Sequence, residues 1–121
     1  MMGKREWMFP DAELPPMGSN PEMFGHESIV ITNPGDHDAS VEICLYWTDR
    51  EPTRIAPVEV KARRVRCVRV TEADGIMGIR VEVGEQYAIG LKSDEPIVAQ
   101  YGRLDLRGGT MAFYTTPGYA Q

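Results

Sequence analysis

The chain has 121 residues, of which 42% are hydrophobic and 26% charged, with a formal net charge of −5 and a pI near 5.0. This length fits one domain whose core needs neither a metal nor a disulfide, and it excludes two cofactor domains. The sequence contains no run of 18 apolar residues and its start lacks the apolar stretch of a signal peptide, so we expect a cytoplasmic protein without a membrane span.

Branched and turn-forming residues indicate an all-β fold. Val and Ile together number 18, whereas Leu occurs five times, and β-branched side chains fit a pleated sheet better than a helix. Residues 1–25 contain four prolines, which exclude a long helix, together with apolar side chains such as Trp7 and Phe9. We expect this segment to be an extended arm that packs on the domain or on a neighbouring subunit.

The following segments predict strands by their periodicity. Ile29–Ile31 is a short apolar run that ends at the turn sequence Asn33–Asp36, so we expect a hairpin there. Residues 40–47 alternate between apolar and other side chains, which is typical of a strand with one buried face. This strand ends before Pro52.

The basic part of the chain predicts two strands joined by a turn. Val58 and Val60 begin a strand that turns near Ala62 into residues 63–70. The apolar side chains change parity within that second strand, which indicates a β-bulge near Cys67.

The remaining segments complete a single all-β domain over residues 1–121. We predict strands at residues 79–83, 87–91 and 97–103, a turn at Lys92–Pro96 between the last two, and a C-terminal segment at residues 108–121. The predicted fold is an antiparallel β-sandwich of about six to eight short strands, with a barrel as the related alternative.

Metal and thiol chemistry find little support in the sequence. Cys44 and Cys67 lie 23 residues apart, which suits neither a zinc ribbon nor a disulfide framework, so we expect reduced thiols. Asp36–Asp38 contains three adjacent ligand-type residues, but adjacent residues rarely chelate one ion and this segment is a predicted exposed turn. We therefore predict no metal and no cofactor.

His26, Glu27 and Ser28 place an imidazole beside a carboxylate and a hydroxyl. In an extended chain His26 and Ser28 face one side and Glu27 the other, so a nucleophile relay within the tripeptide is geometrically poor. A ligand-binding role and a structural role for His26 both stay open.

Five basic residues without an acid occupy positions 61–69, so the net charge divides into +5 there and −10 elsewhere. Arg64 and Arg66 share one side of a strand, about 7 Å apart, which suits two anchors for an anionic or polyhydroxylated ligand. A solvated face or salt bridges between subunits would explain the same pattern. Overall acidity and the lack of an aromatic platform argue against nucleic acid as a partner.

Gln100, Arg103 and Asp105 end an apolar strand. Arg103 and Asp105 share a face, where they either pair with each other or hold the hydroxyls of a ligand from both sides. The sequence contains no dinucleotide, Walker, zinc-protease, nucleophile-elbow or CxxC motif, so each of those enzyme classes loses its support.

An ordered set of short runs resembles the sensory rhodopsin transducer family. The likeness extends from about Trp7 to Tyr119. Its runs are Leu14–Pro16, Gly25–Ser28, Asn33 with Gly35–Asp36, Ala39–Tyr46, Asp49–Pro52, Ala62–Arg64, Tyr87–Ala88, Pro96–Val98 with Gln100, and Arg103–Asp105.

The resemblance implies a tetrameric β-sandwich without catalytic activity that binds a small polar metabolite, such as a sugar. It also implies, as an alternative, a module that docks on a membrane photoreceptor or another receptor. The ligand-binding residues that it implies are Trp7, His26, Glu27, Asn33, Arg63, Arg64, Gln100, Arg103 and Asp105. A third alternative is a sugar-modifying enzyme that uses His26 with Glu27 or Asp105 as acid and base.

Overall fold

A computed structural model describes residues 2–121 of the chain. The described residues form β-strands and one turn of 3-10 helix, Arg107–Gly109, and none of their helices is long and apolar enough to cross a membrane. The strands are β1 (Lys4–Glu13), β2 (His26–Asn33), β3 (Ala39–Trp47), β4 (Thr53–Val60), β5 (Arg64–Thr71), β6 (Gly75–Ile76), β7 (Gln86–Asp105), β8 (Ala112–Thr116) and β9 (Tyr119–Ala120).

Strand β7 organises the fold because it belongs to both layers. Its first part pairs with β3 and β1, and its last part pairs with β2 and β8, always antiparallel. The order β4-β3-β7-β1-β9 forms the first half-sheet, and the order β6-β5-β2-β7-β8 forms the second half-sheet. The continuous sheet curls so that both halves contribute to one core, which confirms the predicted antiparallel β-sandwich.

The core consists of the inward side chains of alternating strands. Val41, Ile43 and Leu45 of β3 are fully buried, as their period-2 pattern predicts. They pack in one cluster with Ile29 and Ile31 of β2 from the other half-sheet. Each such aliphatic side chain stabilises the fold by about 1.5–3 kcal/mol relative to an exposed position.

The predicted turn at Lys92–Pro96 is wrong, because β7 continues through it as one strand of 20 residues. Side chains continue to alternate between exposed and buried in this stretch. Lys92 and Asp94 are exposed, whereas Ser93 between them is buried and pairs with Val41. The polar composition of this stretch reflects its place where the strand passes from one half-sheet to the other.

The predicted hairpin after Ile31 is also wrong, since β2 and β3 lie in different half-sheets and do not pair. Asn33 is fully buried, and its amide donates hydrogen bonds to the carbonyls of His37 at 2.7 Å and Val60 at 3.0 Å. These bonds fix a turn that carries the chain across the core. Two consecutive strands with one apolar face each can pair within one sheet, or they can pack against each other across the core from different sheets. The apolar pattern is the same in both cases.

Two further local predictions are corrected by the strand pairing. Strands β2 and β5 pair without any shift in register, so the bulge predicted near Cys67 is absent, and Val65 and Cys67 are simply exposed on the outer side. The strand predicted at residues 79–83 reduces to isolated bridges at Ile79 and Val83.

Both terminal segments join the sheet. Residues 4–13 of the predicted arm form β1, which buries Phe9 and lies between β7 and β9. Residues 112–116 and 119–120 of the C-terminal segment add β8 to the second half-sheet and β9 to the first. The last segment of the chain therefore connects the edges of the two halves.

Candidate functional site

Glu27 is a fully buried carboxylate held between strands β1, β2 and β7. It shares the inward face of β2 with Ile29 and Ile31, as strand alternation requires. The Tyr87 hydroxyl donates to Oε1 at 2.5 Å, the Tyr101 hydroxyl donates to Oε2, and the main-chain N–H of Glu13 donates to Oε2 at 2.9 Å. Three donors on one buried acid make this a built polar centre.

Burial dominates the electrostatics of this centre. It raises the pKa of Glu27 above the ordinary value of 4.5, and the three hydrogen bonds only partly oppose that change. Burial followed by the neighbouring Glu27 charge raises the pKa of both Tyr87 and Tyr101. The two tyrosine hydroxyls therefore keep their protons and act as donors to Glu27.

Arg103 connects this centre to the surface. Its Nε donates to the Tyr101 hydroxyl at 3.0 Å, and its terminal nitrogen donates to the carbonyl of Asp11 at 3.2 Å. The guanidinium also lies 5.2 Å from the ring centre of Tyr114 on β8. Glu27 and Arg103, both predicted ligand-binding residues, are thus brought together through Tyr101.

Asp105 shares the face of Arg103 but pairs with another residue. Arg107 donates to its carboxylate from Nε at 3.0 Å, and the same guanidinium reaches Glu13 at 3.1 Å. The hydrogen bond from Arg107 is the main reason why the pKa of Asp105 is lowered.

His26 and Gln100 lie on the outer face of the second half-sheet, away from Glu27. The His26 ring packs against Phe24 with centres 5.3 Å apart, and its Nδ1 lies 2.8 Å from the Phe24 carbonyl. Gln100 is exposed and pairs in register with Val30, four residues along β2 from His26. The two side chains therefore do not meet.

The predicted basic residues lie at one end of the molecule. Arg63 pairs with Asp36 of the opposite turn, and Arg64 donates to the Arg63 carbonyl at 3.0 Å. Asn33, next to this turn, uses its side chain for the backbone contacts described above. The sequence-predicted residues thus fall into separate places: a buried centre, an outer face and a basic turn.

A groove of about 420 Å³ lies on the outer face of the first half-sheet. We call it the Gly90 groove, because Gly90 of β7 lies at its middle. Trp7 borders this groove, yet its ring stacks on Phe9 of the core at 6.4 Å between centres. The groove's other side chains include Met8, Glu42, Cys44, Tyr46, Arg54, Lys92, Tyr119 and Gln121.

Sequence reasoning missed Tyr87 and Tyr101 as partners of Glu27. Strand parity offered a signal for this contact. Glu27 is on the same face of its strand as Ile29 and Ile31, and Tyr101 is on the same face as Ile97 and Arg103. An acid on an apolar face needs donors there. The Gly90 groove had a weaker signal, a glycine inside an apolar strand.

Comparison with known proteins agrees with this architecture. The family model described as Anabaena sensory rhodopsin transducer matches residues 2–120. The chain belongs to this family. The resemblance drawn from the sequence is thereby confirmed.

Two solved structures are similar to this member of the sensory rhodopsin transducer family. One, described as Thermotoga maritima 1070, is 30% identical with a TM-score of 0.87, over 100% of this chain and 97% of that chain. The other, the Anabaena sensory rhodopsin transducer, is 33% identical with a TM-score of 0.69, over 83% of this chain and 96% of that chain. No curated protein matches the sequence.

Proposed function

We propose that this chain is a non-catalytic signalling protein that docks on the cytoplasmic face of a membrane receptor and responds to a small polar metabolite. One observation carries the proposal: the chain is 33% identical, over 83% of its length, to a protein described as a sensory rhodopsin transducer. The family match over residues 2–120 supports the same role for the whole described domain.

The arrangement of the polar residues supports a role without catalysis. His26 and Glu27 face opposite sides of β2, and Glu27 is enclosed by its three donors. Asp105, the other acid considered for a sugar-modifying enzyme, is paired with Arg107. An acid and a base within reach of one substrate would be needed for that alternative.

The proposal includes a homotetramer as the assembled form. The outer face of the second half-sheet exposes a row formed by Val65, Thr32 and Val98 on adjacent strands, with the two valines 63% and 37% exposed. Phe113 of β8 is 64% exposed on the same face. Apolar side chains in such a row favour burial against a second copy.

Binding to a receptor is tested with Anabaena sensory rhodopsin in lipid nanodiscs. We expect saturable binding of the purified chain to rhodopsin nanodiscs and none to nanodiscs of the same lipids without protein. Equal binding to both kinds of nanodisc would contradict the docking proposal.

Metabolite binding is tested separately by calorimetric titration with a panel of sugars, sugar acids and other small organic acids. We expect heat of binding from at least one class of compound. Uniformly absent heat at millimolar concentration would overturn the metabolite part and leave the docking result standing.

A further inference from the structure

One row of residues crosses the floor of the Gly90 groove, with a member from each of the five strands of the first half-sheet. Strand register places Arg54 opposite Cys44, Cys44 opposite Gly90, Gly90 opposite Met8 and Met8 opposite Tyr119. With strands 4.7–4.9 Å apart, the row is about 19 Å long. The row is therefore longer than a metabolite of ordinary size.

Gly90 keeps the middle of this row flat. A Cβ atom added there would lie 3.1 Å from Cε2 of Tyr46 and 3.5 Å from Cε of Met8. The Tyr46 ring edge and the Met8 methyl group thus lie directly over the Gly90 backbone, one from each side, and together they form the floor of the groove there. Glycine inside a strand commonly marks a place where another group approaches the backbone closely.

The two cationic side chains of the groove, Lys92 and Arg54, differ in whether an acidic side chain lies opposite them. Lys92 lies in register between two acids, Glu42 on β3 and Glu6 on β1. Arg54 has only Cys44 opposite it on β3, and it forms no ion pair with any residue in the described range 2–121. One cation of the groove is therefore available to an anion from solution.

We propose that the Gly90 groove binds a small organic acid, with its carboxylate on Arg54 and its flat apolar body resting on the Tyr46 ring and the Met8 methyl group that cover Gly90. The guanidinium presents paired N–H donors that match a carboxylate. An aromatic ring and a thioether offer favourable contacts to a flat apolar group. The groove volume of about 420 Å³ also lies within the usual range of ligand sites.

This inference rests on the metabolite-binding part of the proposed function and deepens it by naming a site and a ligand class. It differs from the set of residues predicted from the sequence, of which only Trp7 borders the groove. Binding that depends on Arg54 distinguishes this site from the basic turn and from the Glu27 centre.

The test is calorimetric titration of the purified full chain with indole-3-acetate and with its neutral analogue indole-3-acetamide. We expect saturable binding of the acid, and binding of the amide weaker by about tenfold or more. Arg54→Gln should weaken the binding of the acid by a similar factor. Arg80→Gln, which removes an exposed charge outside the groove, serves as the matched control and should leave the affinity unchanged.

A second measurement places the ligand. In protein with ¹³C-labelled methionine methyl groups, the Met8 signal, assigned with Met8→Leu, should shift on titration with the acid. Acid binding that is equal in wild type and Arg54→Gln, or that leaves the Met8 signal unmoved, would overturn the groove assignment while metabolite binding survives.

Sugar probes test the flat apolar body. We expect indole-3-acetate to bind more tightly than glucuronate, which carries a carboxylate on a hydroxylated ring, and glucose to bind more weakly than either. Arg54-dependent binding of glucuronate without binding of indole-3-acetate would overturn the proposal that the ligand carries a flat apolar group. No binding of any probe at millimolar concentration would overturn the inference, whereas the rhodopsin nanodisc assay would still decide docking independently.

Discussion

At the scale of single residues, Glu27 shows how a strand can carry an acid on its apolar face. The cost of burying a carboxyl group is offset only where donors surround it. Tyr87, Tyr101 and the N–H of Glu13 supply these donors, and they come from two other strands. The acid therefore links β1, β2 and β7 through hydrogen bonds as well as packing.

The Tyr101 hydroxyl is central to this network, because it donates to Glu27 and accepts from Arg103. We expect Tyr101→Phe to lower the free energy of unfolding by about 1–3 kcal/mol, since the buried Glu27 and the half-buried Arg103 each lose a hydrogen bond. Urea denaturation measures this. Tyr114→Phe is the control: its ring would remain beside Arg103, and we expect a change within about 0.5 kcal/mol. Equal effects would contradict the network.

Glu27 also predicts a pH dependence. Because its pKa is raised in the folded chain, the folded state binds more protons than the unfolded state at pH values above the ordinary 4.5. Its contribution to stability is fully present below that pH and is lost as pH rises through the folded-state pKa. We expect the stability of wild type relative to Glu27→Gln to fall from pH 4.5 toward neutrality in urea titrations. A constant difference would contradict the raised pKa.

Residue parity could be predicted from the sequence, but partners could not. Period-2 counting places His26 outward and Glu27 inward, as the structure has them. Which donor faces Glu27 depends on how β2 and β7 align, and many alignments satisfy the same apolar pattern. The pairing of Asp105 with Arg107, two residues further along, depends instead on the 3-10 turn that begins just after β7.

At the scale of elements, the two-residue strand β9 forms a wall of the Gly90 groove through Tyr119. Gly118 before it has φ of +67°, and an added Cβ would lie 2.6 Å from Cδ1 of Phe9 and 2.8 Å from the carbonyl oxygen of Met8. Gly108 has a similar φ of +74° but no neighbour within 4 Å. Substituting Gly118 and Gly108 in turn therefore distinguishes the effect of steric overlap from the effect of backbone strain, which both positions share.

We expect Gly118→Ala to lower the free energy of unfolding by about 1–3 kcal/mol more than Gly108→Ala does, because only Gly118 meets Phe9 and the backbone. Urea denaturation of the two variants measures the difference. Equal losses would show that β9 is not held against β1 by this close approach.

The sequence predicted most strands but not their connections. Alternating segments such as Val41–Leu45 depend on local pattern, which the sequence displays directly. The continuity of β7 through Lys92–Pro96 and the crossing after Asn33 depend on pairing with distant strands. Polar residues in a short window are typical of turns, and in Lys92–Pro96 they also suit the place where β7 passes from one half-sheet to the other.

At the scale of the whole molecule, the proposed tetramer requires a face that loses solvent. Val98 lies in the exposed row of the second half-sheet, so a charge there would oppose burial against another copy. We expect Val98→Lys to produce species smaller than a tetramer in sedimentation velocity. Val83→Lys, exposed outside both half-sheets, should leave the tetramer intact. A tetramer that persists in Val98→Lys would place the contact elsewhere.

The shared strand β7 also determines how this protein can come apart. In a sandwich of two independent sheets, the sheets can separate while the hydrogen bonds within each sheet stay intact. Here one continuous strand, Gln86–Asp105, is an interior strand of both half-sheets, so the two halves share one backbone. Separating either half-sheet would leave one end of β7 without its hydrogen-bonding partners, so we expect the domain to unfold as one cooperative unit.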